Sequence, residues 1–238
     1  MAAPIVTAVF DGDSSGGKYR VEIDARPFVS GARKMVFKGA LTGNGPRNSE
    51  IVIVKPFREF PGSREQCDTE ISKNLEAHKI SQTYNDTMKS SGQWLRFILP
   101  YRSSLERVAK VSTTNNMSKS RQLECGEWVL IEEYIGDNFK KFIDDRGRSA
   151  AGGTSLLHAF VHFSYQASNR SLVISCLQGV ESDTGYQLAT PTIHSSDYRF
   201  GESDQGEAGI LQVFQNHKCN NICRDFAMPH MLKNLNPM

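Results

Sequence analysis

His217-Lys-Cys219-Asn-Asn-Ile-Cys223 places one imidazole and two thiols close together near the end of the sequence. Zinc prefers thiolate and imidazole donors in a tetrahedron, and ligands so spaced converge from a helix end and the turn after it. A structural site needs a fourth donor. His162 supplies one from upstream, within residues 156–165, where Leu156, Leu157, Phe160 and Val161 recur at helical spacing. For a Cys-x-x-x-Cys pair alone, the plainer alternative is two buried free cysteines beside a surface histidine. The added histidine, where little else would hold the chain, favours zinc. His78, His158, His194 and His230 read instead as surface or satisfied core groups.

Working outward, 238 residues are enough to bury a real core, and a 39% hydrophobic fraction excludes a disordered chain. Lys and Arg total 28 against 26 Asp and Glu, so no bulk positive charge calls for nucleic acid. Mean hydropathy is −0.42, and no apolar run reaches membrane-spanning length, so a membrane is not expected as a partner. Residues 1–10 lack a basic n-region and Asp11 follows at once, which argues against a secretory signal. Five cysteines without such a signal point to a reducing, cytoplasmic setting with thiols available for metal.

Residues 28–41 and 50–57 read as strands joined by Thr42-Gly-Asn-Gly-Pro-Arg-Asn48, dense in turn formers. Ile51-Val-Ile-Val54 is continuously apolar, as a strand buried on both faces should be, and it ends in Lys55. Ser63-x-x-Gln66 has the form of a capping box, with Cys67, Ile71 and Leu75 forming the apolar stripe of the helix it opens. Residues 94–99, 127–135 and 171–177 read as strands, 112–122 and 137–153 as polar loops, and Ile210, Leu211 and Phe214 as a helix running into His217. Strands dominate the first half and the second is mixed, so the expected class is α+β.

Further short segments then fall in a recognisable order: Ala159-Phe-Val-His162-Phe-Ser-Tyr165, Cys176-Leu-Gln178-Gly-Val180, Leu188-Ala-Thr190-Pro191, Phe200-Gly201-Glu-Ser-Asp204-Gln-Gly206-Glu-Ala-Gly209, and the His217–Cys223 motif. In this succession the chain resembles the alpha-kinase family of atypical protein kinases. Fainter likenesses extend it across most of the sequence. Phe28-Val-Ser-Gly31-Ala-Arg33 is similar to the family's phosphate-covering turn, residues 51–55 to its lysine strand, and Val129-Leu-Ile-Glu132-Glu-Tyr-Ile135 to its hinge.

The resemblance implies a single domain over 1–238 with a two-lobed fold: an N-lobe over roughly 1–130, a C-lobe over roughly 136–227 and a short tail. ATP would lie between the lobes, with a structural zinc site built into the C-lobe. It further implies that Lys55 pairs with the phosphates of ATP and that Gly31 and Arg33 cover them. Glu132 and the hinge meet the adenine edge, Gln178 stands beside the metal, and Asp204 with Gly201 and Gly206 positions nucleotide or substrate. A snorkelling lysine at a strand end and ordinary turn glycines are the plain alternatives. Glu70 invites comparison with the helix glutamate that pairs the lysine in ordinary kinases, but a solvated face is the expected fate of a lone Glu there.

Two positions depart from the family pattern. Its catalytic aspartate is Cys176 here, and its magnesium-binding aspartate is Thr190. A neutral thiol is a poor base, and a hydroxyl brings magnesium no negative charge. The expectation is therefore a degenerate, nucleotide-binding pseudokinase that acts through a protein partner. The alternatives are an active Ser/Thr kinase that phosphorylates a protein substrate using Glu181 or Asp183 for magnesium, and a zinc-stabilised interaction module without nucleotide.

Overall fold

The computed structural model describes residues 6–11, 17–23, 27–88, 92–108, 121–150 and 154–230. Most of the expected loop 112–122, the Gly152-Gly153 pair and the tail beyond residue 230 lie outside them. The chain divides into two compact units, one holding residues up to Asp68 and Pro100–Tyr134, the other Thr69–Leu99 and everything from Ile135 on. Residues 69–99, expected in the N-lobe, thus cluster with the second unit.

The first unit is built from β1 (Val6–Asp11), β2 (Lys18–Ile23), β3 (Val29–Ser30), β4 (Met35–Gly43) and β5 (Ile51–Lys55). Helix α1 (Arg64–Thr87) and β6 (Trp94–Phe97) follow in sequence before β7 (Tyr101–Val108) and β8 (Trp128–Glu133) complete it. The seven strands pair antiparallel throughout, in the order β2-β1-β7-β8-β5-β4-β3. Because β2 also bonds β4, six of them close into a ring. Alternation along β2 buries Tyr19, Val21 and Ile23, which meet Phe37, Leu41, Val54 and Val129 in one core. Ile51-Val-Ile-Val54 behaves as its composition requires except at its first residue: Val52, Ile53 and Val54 are buried and Ile51 is exposed.

Two readings need correction here. The strand expected over 28–41 is a hairpin, β3 and β4 hinged at residues 31–34, with Gly31 N–H bonded to the Lys34 carbonyl at 2.9 Å. Strand β7 was not foreseen, because Tyr-Arg-Ser-Ser-Leu-Glu-Arg-Val is mostly polar, with Leu105 buried and Val108 packed on the same core.

Helix α1 opens on the anticipated capping box. Gln66 N–H donates to Ser63 Oγ at 3.2 Å, and Ser63 N–H to Gln66 Oε1 at 2.9 Å. Its apolar stripe is a different one, however. Leu75 is 52% exposed, whereas Ala77, Ile80 and Tyr84 enter the core of the second unit beside buried Glu70, Lys73 and Asn74. Glu70 therefore does not lie on a solvated face.

The rest of the second unit comprises β9 (Lys140–Lys141), α2 (Ser155–Ala167), β10 (Leu172–Ser175), β11 (Gln178–Ser182), β12 (Gly185–Leu188), β13 (Thr192–Ser195) and α3 (Gly206–Asn216). A four-stranded sheet runs β6-β12-β11-β9, and β10 pairs with β13. Thr154 caps α2 through its side chain. The nearly all-apolar face of α2 packs Phe160 against Tyr84, whose hydroxyl donates to the Leu156 carbonyl at 2.9 Å. Among the described residues no helix is long and apolar enough to cross a membrane.

Candidate functional site

The His and Cys residues singled out in the sequence come together within the second unit. His162 projects from the apolar helix α2, His217 caps the C-terminal end of α3, and Cys219 and Cys223 occupy the turn that follows. One donor atom from each lies within 4.8 Å of the others. His162 Nε2 is 3.1 Å from the Ala227 carbonyl, which can only accept, so that nitrogen carries the proton. The lone pair on Nδ1 then faces Cys219 Sγ at 3.6 Å. His217 Nε2 stands 3.5 Å from Cys223 Sγ, and the Asn220 N–H is aimed at the same sulfur from 3.4 Å.

Bonds of about 2.0–2.3 Å to a tetrahedral zinc would set its donors roughly 3.3–3.8 Å apart, so the two nitrogen–sulfur separations fit that ion. The donor set is also right, since imidazole and thiolate suit zinc and not magnesium or calcium. Burial, with His162 and His158 nearby, pushes His217 down to about 3, and burial beside Cys223 pushes the Cys219 thiol up to about 11. The protein alone thus holds neutral imidazoles beside a protonated Cys219 thiol. A bound divalent cation would supply the charge that draws off the thiol protons.

In the first unit, Lys55 ends β5 and Glu132 sits on the adjoining β8, whose register pairs Lys55 with Leu130. The Lys55 ammonium bonds the Glu132 carboxylate, and Glu132 is almost wholly buried. The carboxylate of Glu132 thus orients the lysine. Gly31 and Arg33 are exposed at the β3–β4 hairpin, where Arg58 binds both backbone carbonyls.

In the second unit, Cys176 follows β10 with φ at +54°, a left-handed conformation that Asn, Asp and Gly adopt most readily. Its N–H donates to the Asp144 carbonyl at 3.0 Å. Gln178 begins β11, and its carbonyl accepts from Ala189 N–H at 2.8 Å. That bond brings the Cys176–Gln178 and Thr190 segments side by side. Thr190 Oγ1 accepts from Asn74 Nδ2 at 2.9 Å, while buried Asn74 Oδ1 has no partner. The preceding residue, Lys73, bonds Glu70 at 2.6 Å and Ser203 Oγ at 3.0 Å. This polar turn of α1 went unread because an inward Glu-x-x-Lys-Asn looks like an ordinary solvated face.

Asp204 is buried within the glycine-rich loop. Its carboxylate accepts from Ser195 N–H at 2.8 Å, Gly206 N–H at 2.9 Å, Phe200 N–H at 3.2 Å and the Ser195 hydroxyl. It ties the glycine-rich loop together from inside, with Gly201 accepting from its N–H. Gly206 has φ at +61°, and a Cβ there would overlap the Tyr198 ring, so only glycine fits.

The expected connection carrying Glu181 and Asp183 is an ordered hairpin, β11 to β12, with Ser182 paired to Gly185. Glu181 lies three residues beyond Gln178, about 10 Å along the strand, and its carboxylate accepts from Tyr186 Oη at 2.9 Å. Asp183 is exposed at the hairpin tip. Neither carboxylate is aimed at Gln178. Asp144, whose backbone carbonyl holds the Cys176 N–H, turns its carboxylate to Arg148 and to the Arg146 N–H. Burial acts to raise its pKa, but hydrogen bonds from Arg148 and Arg146 outweigh that and lower it.

Comparison with known proteins agrees with this geometry. The model of the Alpha-kinase family matches residues 29–223. The Dictyostelium discoideum protein "Alpha-protein kinase vwkA" is 26% identical over 214 residues, 87% of this chain and 31% of that protein. "Myosin heavy chain kinase C" from the same organism is 36% identical over 93 residues, 39% of this chain and 11% of its own length. The chain spans less than a third of the length of these curated relatives. Among solved structures, an alpha kinase from Entamoeba histolytica superposes with a TM-score of 0.72 at 22% identity, over 90% of this chain and 81% of that one. The alpha-kinase domain of myosin-II heavy chain kinase A in complex with AMP-PNP does so at 0.74 and 19% identity, over 95% and 98%.

Proposed function

The chain belongs to the alpha-kinase family, and on that footing we propose that it is a degenerate member: a zinc-stabilised, ATP-binding domain that acts mainly through contacts with a protein partner. The observation that carries this reading is the neutral pair Asn74–Thr190, where the family pattern calls for a magnesium-holding carboxylate. Cys176, at the other altered position, replaces a base by a thiol. Phosphoryl transfer depends on positioning and charge neutralisation, and loss of a general base alone costs about 10²–10⁴-fold.

In this reading Lys55, oriented by Glu132, meets the phosphates of ATP, and Gly31 and Arg33 lie over them. Gln178 keeps an oxygen for a metal, but Thr190 leaves magnesium weakly held. Asp204, Gly201 and Gly206 shape the loop that would face nucleotide or substrate. His162, His217, Cys219 and Cys223 hold a structural zinc ion, which when bound cross-links the C-terminal turn to α2 and α3. Reduced thiols of this kind suit the cytoplasm. The alternative in which Glu181 or Asp183 restores magnesium binding is disfavoured by the β11–β12 hairpin, which holds both away from Gln178.

Calorimetric titration with AMP-PNP, with and without magnesium, tests the nucleotide reading. We expect binding that changes little with magnesium and is lost in Lys55→Ala. A folded protein that binds no nucleotide would leave a zinc-stabilised interaction module. In a phosphotransfer assay the unmodified chain should be near background, and Cys176→Asp with Thr190→Asp should raise transfer at least tenfold. Robust transfer by the unmodified chain would overturn the degenerate reading.

A further inference from the structure

His158 and His162 stand four residues apart on α2, so His158-Ala-Phe-Val-His162 presents two imidazoles on one helix face. That spacing is the one by which helices chelate zinc. The ring centroid of His158 is 6.1 Å from that of His217, against 4.9 Å for His162 and His217. The turn bearing the two cysteines is laid along this same stretch of α2. Asn220 Nδ2 donates to the Ser155 carbonyl at 2.8 Å, and Ser155, His158 and His162 follow one another at helical spacing. His158 is half-buried, and its ring nitrogens make no hydrogen bond among the described residues. Within the four-residue cluster, His162 and Cys223 are deeply buried, whereas Cys219 is the donor exposed to solvent.

We propose that His158 is a reserve metal ligand, able to take the place of Cys219 and keep a zinc ion bound by three imidazoles and one thiolate when that exposed thiol is lost. The inference rests on the zinc reading above and adds to it a fifth residue that the family motif does not contain. It gives the exposed corner of the cluster a fallback, so that modification of one cysteine loosens the C-terminal turn without freeing it.

The test uses the full chain, prepared metal-free under reductant, as wild type, His158→Ala, Cys219→Ser and the double variant. Zinc per chain is measured by atomic emission and affinity by competition with a chromophoric chelator. Wild type and His158→Ala should each bind about one ion with similar affinity. Cys219→Ser should keep the ion with affinity reduced about 10–100-fold, and the double variant should lose at least a further tenfold. With cobalt as probe, Cys219→Ser should retain the visible bands of a tetrahedral ion while the thiolate charge-transfer band weakens. Should the double variant fail to fold, His158→Gln in the Cys219→Ser background replaces it. Loss of the ion by Cys219→Ser alone, or a double variant that matches Cys219→Ser, overturns this inference and leaves the four-ligand reading standing. A wild-type chain that takes up no zinc overturns both.

Discussion

Asn74 Nδ2 donates to Thr190 Oγ1 at 2.9 Å, from a side chain with no exposure to solvent. An amide hydrogen serves a hydroxyl and a carboxylate equally well as acceptors, so the partner of residue 190 is compatible with the aspartate that the family pattern expects there. The change to threonine removes charge from the site without removing the bond that orients it.

Thr190→Asp should therefore fold, held by the same amide. It should also make nucleotide binding magnesium-dependent, tightening it by ~10-fold, the worth of one charge-assisted contact of about 1.4 kcal/mol. Calorimetry with AMP-PNP at zero and saturating magnesium measures this, and an unchanged ratio would refute it.

The Glu70–Lys73 pair on α1 is sealed from solvent and tied to Ser203. Lys73→Met strands a buried carboxylate and should cost about 3–5 kcal/mol, whereas Glu70→Leu combined with Lys73→Met should recover most of that loss. Urea midpoints at constant slope read both. A single variant as stable as wild type would show that the pair contributes nothing.

Gly206→Ala meets two obstacles, a left-handed backbone and the Tyr198 ring. A loss of about 1–3 kcal/mol is expected. Pairing it with Tyr198→Ala should return the steric part and leave the backbone part, which a double-mutant cycle in thermal denaturation separates.

His194 is buried, and burial lowers its pKa, opposed by the Asp145 carbonyl and by the Asp204 and Asp145 charges, with Lys73 acting in the same sense as burial. Its Nδ1 accepts from Gln205 N–H at 3.1 Å, immediately before α3. A protonated ring would set donor against donor. Because the folded pKa lies below the unfolded value of about 6.5, the contribution of His194 is intact above that pH and is lost as pH falls beneath it. Stability to urea should decline as pH falls below about 6.5, and His194→Asn should make that decline shallower, the remainder belonging to His158, His162 and His217, which burial also lowers. An equal slope in the variant would exclude His194 as the cause.

What could be read in advance follows the range of the forces involved. The capping box at Ser63 and Gln66 and the all-apolar strand at 51–54 are local signals; the first holds, and the second holds except at exposed Ile51. The His and Cys cluster was found because its spacing encodes donor chemistry. Of the stripe Cys67, Ile71 and Leu75 only Cys67 is fully buried and Leu75 is exposed, because α1 also buries a polar face, where Lys73 and Asn74 find partners far along the chain. Hairpin β11–β12 was missed because Glu-Ser-Asp-Thr-Gly reads as loop, and its pairing with β6 is set by tertiary contact.

Among the described residues each strand of the ring formed by β2, β1, β7, β8, β5 and β4 has a bonded neighbour on both sides. Every free border of a sheet invites a stranger's backbone, through strand donation or through fibril growth. With only the two-residue β3 appended, the first unit is poorly suited to being recruited, or poisoned, by an added strand. A binding companion of this unit must recognise it by its side chains.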